Sequence, residues 1–119
     1  MFGGVVGDNP FNFSNDSFCC NGPSNKWTEL QPKDKKNMPS PRAAHAAAKE
    51  NIGQMVVFGG AHLAGELVAN ELYLLKVVPD GSASKGVKVP VACAKPTARY
   101  GHTMGFCKPY ILMIGDNSG

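Results

Sequence analysis

Met55-Val56-Val57-Phe58-Gly59-Gly60 is an unbroken apolar run closed by two glycines, and its last three residues repeat Phe2-Gly3-Gly4 at a distance of 56 positions. A second string, Pro41-Arg42-Ala43-Ala44-His45, is echoed 57 positions on by Ala98-Arg99-Tyr100-Gly101-His102. Two unrelated strings that share an offset point to a repeated structural unit of about 50 residues. An array of such units is a scaffold, and its function is expected to be binding rather than chemistry.

Two periods nearly exhaust the 119 residues. Both ends are expected to fall inside a repeat, which makes the chain a segment of a longer protein. Met1 is then either a strand residue or an added start. Fourteen glycines and nine prolines break the sequence into short apolar runs without a long amphipathic helical pattern, so the expected class is all-β.

Met55 to Phe58 and Tyr110 to Ile114 are continuous apolar runs, as suits strands covered on both faces. Glu71 to Val78 reads as a further strand, with Asn15 to Cys20 as its weaker counterpart and Phe18 aligned with Tyr73. Lys26 to Leu30 alternates and reads as an outer strand, whose counterpart Gly86 to Val91 has no Trp. Alanine is the best helix former, yet Ala43 to Ala48 is read as a strand. The Pro39-Ser40-Pro41 entry and the glycine-rich partner Gly101-His102-Thr103-Met104-Gly105 favour it. The variable loops are expected at Ala61 to Ala69 and Pro79 to Lys85.

An apolar strand closed by Gly-Gly, then an aromatic, then a spaced Trp resembles a kelch repeat, here on Gly3, Gly4, Phe18, Trp27, Gly59, Gly60 and Tyr73. Arg42 and His45, with Arg99 and His102, resemble the subclass with long repeats. More narrowly, these blocks with Tyr110 to Gly115 resemble the N-terminal kelch region of serine/threonine protein phosphatases with kelch-like repeats, of plant and apicomplexan type. That family usually has Gly-Gly where Gly115-Asp116 stands, and often an outer Trp that the second repeat lacks.

The resemblance implies a β-propeller fragment of four-stranded antiparallel blades: a partial blade at 1–40, a complete one at 41–91 and the first half of another at 92–119. It implies no catalytic or metal-ligating residue in this segment. It also implies a parent enzyme whose C-terminal phosphatase domain holds two divalent metal ions, of manganese or iron/zinc type. The alternative is a substrate adaptor of a ubiquitin ligase, or another kelch effector without an enzyme. Protein partners would bind at rim loops, Ala61 to Ala69 and Lys33 to Met38.

Each motif position also has a physical reading. A glycine pair after a buried strand permits positive φ and close backbone approach. Arg42 and Arg99 offer planar arrays of donors, expected to tie carbonyls or carboxylates across adjacent blades. His45 and His102 are expected to satisfy nearby backbone groups. Trp27 and Tyr73 are expected to fill the seam between sheets.

Sharper readings fare less well. A net charge of +3 is too small to point to nucleic acid, and Lys33-Asp34-Lys35-Lys36 reads as a solvated loop. Cys19, Cys20, Cys93 and Cys107 match no zinc spacing and read as reduced, buried thiols of an intracellular protein, in cytoplasm or nucleus. Asn12-Phe13-Ser14 and Asn15-Asp16-Ser17 fit the glycosylation pattern but have no signal peptide before them. His45, His62 and His102 lack partner ligands at metal spacing. Gly115-Asp116-Asn117-Ser118-Gly119 lacks the His of Gly-Asp metal motifs and reads as a turn. Ser40 sits beside Arg42, where a phosphate would act as a switch, but ordinary turn composition explains it. No apolar run is long enough to span a bilayer. An isolated piece with open terminal faces is expected to self-associate.

Overall fold

The turn residues do divide the chain into strands, nine of them, with no α-helix among the described residues. The computed structural model describes residues 1–115, so the readings placed on Asp116 to Gly119 lie outside the described residues. The strands are β1 (Phe2–Val6), β2 (Asn12–Asn21), β3 (Lys26–Pro32), β4 (Ala46–Asn51), β5 (Gln54–Phe58), β6 (Leu72–Val77), β7 (Ala83–Lys88), β8 (Thr103–Cys107) and β9 (Tyr110–Ile114). The chain is an all-β segment built as a propeller fragment.

Strands β4 to β7 form an antiparallel meander, and β1 to β3 form a three-stranded one. The two are in register with the sequence repeat. Phe2 faces Ser17 as Phe58 faces Leu72, which sets Phe18 level with Tyr73. They join through a two-residue parallel ladder, Gln31 with Ala83 and Pro32 with Ser84, to give one curled sheet in the order β1-β2-β3-β7-β6-β5-β4. The hairpin β8-β9 is separate, and β8 packs beside β4.

Burial follows the apolar run. Val57 is wholly buried between Phe2 of the first repeat and Leu75 of its own, with Met38 and Met55 packed around them. β5 is covered on both faces, and so carries no polar alternation. Ala43 to Ala48 is strand only from Ala46, because Ala44 takes a positive φ of 54° and turns the chain.

The outer strand β7 begins at Ala83, not at Gly86, and ends before Val89. The loop expected over Pro79 to Lys85 is accordingly shorter. Asp80 accepts the Ser82 amide and Val78 N donates to Ala83 O at 3.0 Å, so the reversal closes early and hands Ala83 and Ser84 to the ladder with β3.

The missing tryptophan also has a structural reason. Trp27 stands opposite Cys20, and Gly86 stands opposite Leu75, so Gly86 occupies the Trp27 position of the second repeat. A Cβ on Gly86 would lie 2.5 Å from the Asn37 carbonyl oxygen and 3.1 Å from Met38 Sδ. A 3-10 turn, Lys35–Asn37, capped by Asp34, packs there in the place of a side chain.

Candidate functional site

The first and second repeats meet the next one through the same set of contacts, made twice. Gly4 N donates to Arg42 O at 3.0 Å, and Gly60 N donates to Arg99 O at 2.8 Å. Gly3 and Gly59 have φ of 65° and 73°, conformations that side chains rarely adopt. A Cβ at Gly3 would lie 3.1 Å from Arg42 O, and one at Gly59 2.4 Å from Arg99 O. Gly59-Gly60 therefore ends β5 and admits the next repeat's backbone at once, whereas β1 continues past Gly3-Gly4 to Val6 around a register shift between Phe2 and Gly4.

A histidine covers each junction. His45 meets Phe2 edge to face with ring centroids 5.4 Å apart, and His102 meets Phe58 in the same way at 5.7 Å. Burial pushes the His45 imidazole pKa below its ordinary value, a hydrogen bond with the Phe2 backbone offsets part of this, and the Arg42 and His102 charges lower it further.

The arginines behave differently from the expectation of ties across blades. Arg42 Nη1 donates to Gly59 O at 3.1 Å, Nε to Ser40 O at 3.1 Å and Nη2 to Ser40 Oγ at 3.1 Å, so its partners are in its own repeat and the segment that enters it. Arg99 does the same with Gly115 O, Thr97 O and Thr97 Oγ1. The strands before Gly59 and Gly115 have ended, so the carbonyl there needs a donor, and the guanidinium folds back to supply it. The backbone carbonyl of each arginine, not its side chain, spans the junction.

Arg42 is only 1% exposed and lies 5.7 Å under the Tyr73 ring. Burial lowers its pKa, and Tyr73 and Glu71 oppose that. The Tyr73 hydroxyl donates to Glu71 Oε2 at 3.2 Å, and Glu71 pairs with Lys88. Burial, then Glu71, raises the Tyr73 phenol, while the Lys88 hydrogen bond holds Glu71 below its usual value.

Two further pairs escaped the reading of the sequence. Asn15 Nδ2 donates to Pro39 O at 3.1 Å and Asn70 Nδ2 to Pro96 O at 2.9 Å, so each amide pins the segment entering the next repeat. Ser40 and Thr97 are the second pair. The signal was present in Asn15-Asp16-Ser17-Phe18 and Asn70-Glu71-Leu72-Tyr73, 55 positions apart, although the first also fits a glycosylation pattern.

Trp27 is 61% exposed and so fills no seam among the described residues. Cys20, Cys93 and Cys107 are exposed and Cys19 is half-buried; all four are free thiols, not the buried ones expected. Among the described residues no three His, Cys, Asp or Glu side chains come together as metal ligands. No helix among them is long and apolar enough to cross a membrane.

The loop over Ala61 to Ala69 is ordered by its own backbone. His62 N donates to Glu66 O at 2.8 Å and Val68 N to Gly60 O at 2.9 Å, leaving Leu63, Ala64, Gly65 and Glu66 exposed. It starts at the glycine pair, so the junction sets where it stands. Lys33 to Met38 is fixed at Gly86 and presents Lys35 and Lys36 to solvent.

This geometry agrees with the comparisons. Over 87% of its length the chain is 36% identical to "Serine/threonine-protein phosphatase BSL2" of Arabidopsis thaliana. Over 97% of its length it is 33% identical to "Tip elongation aberrant protein 1" of Schizosaccharomyces pombe. The chain is a kelch-repeat segment. It spans 10% and 9% of the lengths of these two relatives. No family model matches the chain.

Arg42→Lys in the kelch segment removes the fork that serves Ser40 and Gly59, and is expected to destabilise by about 2 kcal/mol through lost charge-assisted hydrogen bonds. Arg99→Lys, at the more exposed site, should cost less; equal shifts in urea midpoint would contradict this account. The His45 shift sets a pH dependence. Its folded value lies below the unfolded one, so the unfolded state takes the proton first as pH falls. Stability should therefore be full above pH of about 6.5 and decline below it. Urea midpoints from pH 8 to pH 5 should fall, and His45→Gln should flatten the decline.

Proposed function

We propose that the segment is a protein-interaction and regulatory module of a longer kelch protein, one that carries a serine/threonine phosphatase domain on its C-terminal side. The observation that carries this reading is the junction made twice: it uses the arginines, histidines and glycines for stacking, and leaves the adjoining loops free for partners. Identity to a plant phosphatase supports the parent assignment. In that parent two divalent metal ions would activate water for phosphoserine or phosphothreonine hydrolysis. The ligands would be supplied outside this segment. The blades would be 1–40, 41–91 and 92–119, and the protein would work in the cytoplasm or nucleus.

The second reading is a non-enzymatic kelch effector, such as a ubiquitin-ligase adaptor, favoured by identity to a protein whose name carries no enzymatic activity. The reading frame that encodes the chain separates the two. Gly-Asp-x-His-Gly and Gly-Asn-His-Glu motifs downstream support the phosphatase, and a BTB domain supports the adaptor.

Contacts would be made by the loops at Ala61 to Ala69 and Lys33 to Met38. Affinity capture with the whole parent array tests this. Glu66→Lys and Lys35→Glu/Lys36→Glu should each reduce recovery of a partner; unchanged recovery from both would remove the assignment. The isolated chain is proposed to self-associate. The free edges of β1 and β9 carry exposed Val5, Val6, Tyr110, Leu112 and Ile114, and unpaired edges recruit strands. Light scattering should show a mass above 12.6 kDa, and a sharp monomer would contradict it.

A further inference from the structure

Each junction arginine holds a hydroxyl two residues before it, and the two copies differ in how open they are. Arg42 Nη2 donates to Ser40 Oγ at 3.1 Å, and Arg99 Nη2 donates to Thr97 Oγ1 at 3.1 Å. Ser40 is half-buried, it follows the fully buried Pro39, and its arginine is sealed from solvent. Thr97 is exposed and closes a run, 91–97, in which every residue is exposed and none lies in a strand or helix. The Asn70 amide holds the Pro96 carbonyl at 2.9 Å, so the backbone before Thr97 is tethered although its side chain is open. Among the described residues the acceptors of the Arg99 guanidinium are neutral: Gly115 O, Thr97 O and Thr97 Oγ1.

We propose that Thr97 is a phosphorylation site, modified by a protein kinase that selects basic sequence, and that Arg99 receives the phosphate. In the transfer Thr97 Oγ1 attacks the γ-phosphorus of ATP. The bond from that phosphorus to the bridging β-phosphate oxygen breaks, ADP leaves, and the hydroxyl proton passes to a base of the kinase. Lys95 and Arg99 stand two residues to either side of the threonine and suit an acidic substrate groove. An exposed segment without regular structure opens at little cost to enter one. The product places a charge of about −2 beside a guanidinium already in position. A pair ionised on both sides outcompetes the neutral Gly115 carbonyl for that guanidinium. Arg99 also offers its own carbonyl to Gly60 N, so the modification acts on the contact between the second and third repeats. The buried Ser40 copy keeps its hydroxyl as a structural acceptor.

The full chain is incubated with a kinase selective for basic sequence, magnesium and ATP, and mass spectrometry locates the phosphate. Thr97 should be modified about tenfold faster than Ser40 or more, since opening the sheltered copy costs free energy first. Thr97→Val should remove the fast phase. Phosphorus NMR then reads the contact with Arg99. The second ionisation of a phosphothreonine lies near pH of about 6, and a neighbouring guanidinium lowers it. The resonance should therefore titrate at lower pH in the folded chain than in urea, and added salt should narrow the difference. Arg99→Gln should abolish it. Circular dichroism checks that this variant is folded, and Arg99→Lys, expected to reduce the difference in part, replaces it if not. Four results overturn the proposal: no phosphate on Thr97 of the native chain, equal rates at Ser40 and Thr97, the same titration folded and unfolded, or a folded titration that the arginine variants leave unchanged.

Discussion

The Arg42 guanidinium, buried against the Gly59 carbonyl, is the contact around which the second repeat is arranged. A strand that stops at a glycine pair leaves a carbonyl without its ladder partner, and an unpaired buried carbonyl is costly. The guanidinium answers that need while Ser40 and the Tyr73 ring hold it in place. With the side chain so occupied, the backbone at Arg42 is fixed, and its own carbonyl meets Gly4 of the repeat before. One residue thus serves its own repeat with its side chain and the previous one with its backbone. Arg99 repeats the arrangement.

Glycine is the other half of that constraint. Gly59 needs both a positive φ and the absence of a Cβ, because the Arg99 carbonyl and the His102 ring occupy the space. The histidine lies edge-on over Phe58 and shields the junction. Function follows from the same economy. The junction consumes the conspicuous Arg, His and Gly residues, and the loop after the glycine pair and the loop fixed at Gly86 are left exposed.

Much of this was legible in the sequence. Glycine pairs and buried apolar runs are local signals, and they placed β5 and β9 directly; β1 was expected to close at Gly3-Gly4 but runs on to Val6, because β2 continues to pair with it. The alignment of Phe18 with Tyr73 follows from the period and holds in the register. Other features were not legible. β7 starts early because its first two residues find a partner in β3, which the sequence of β7 does not encode. Gly86 replaces tryptophan because a loop from about 50 residues upstream lies against it. Asn15 and Asn70 carried a readable pair, obscured in the first copy by its second meaning as a glycosylation pattern.

The sequence by itself determined the period, the strand class and the places where the backbone must turn, because a positive φ and a continuous apolar run restrict residue type position by position. Only the tertiary structure decided which carbonyl each arginine serves, that two sheets join through a parallel ladder, and that Trp27 stands in solvent. Those outcomes depend on which distant groups arrive within hydrogen-bonding or packing range, and no local residue preference carries that information.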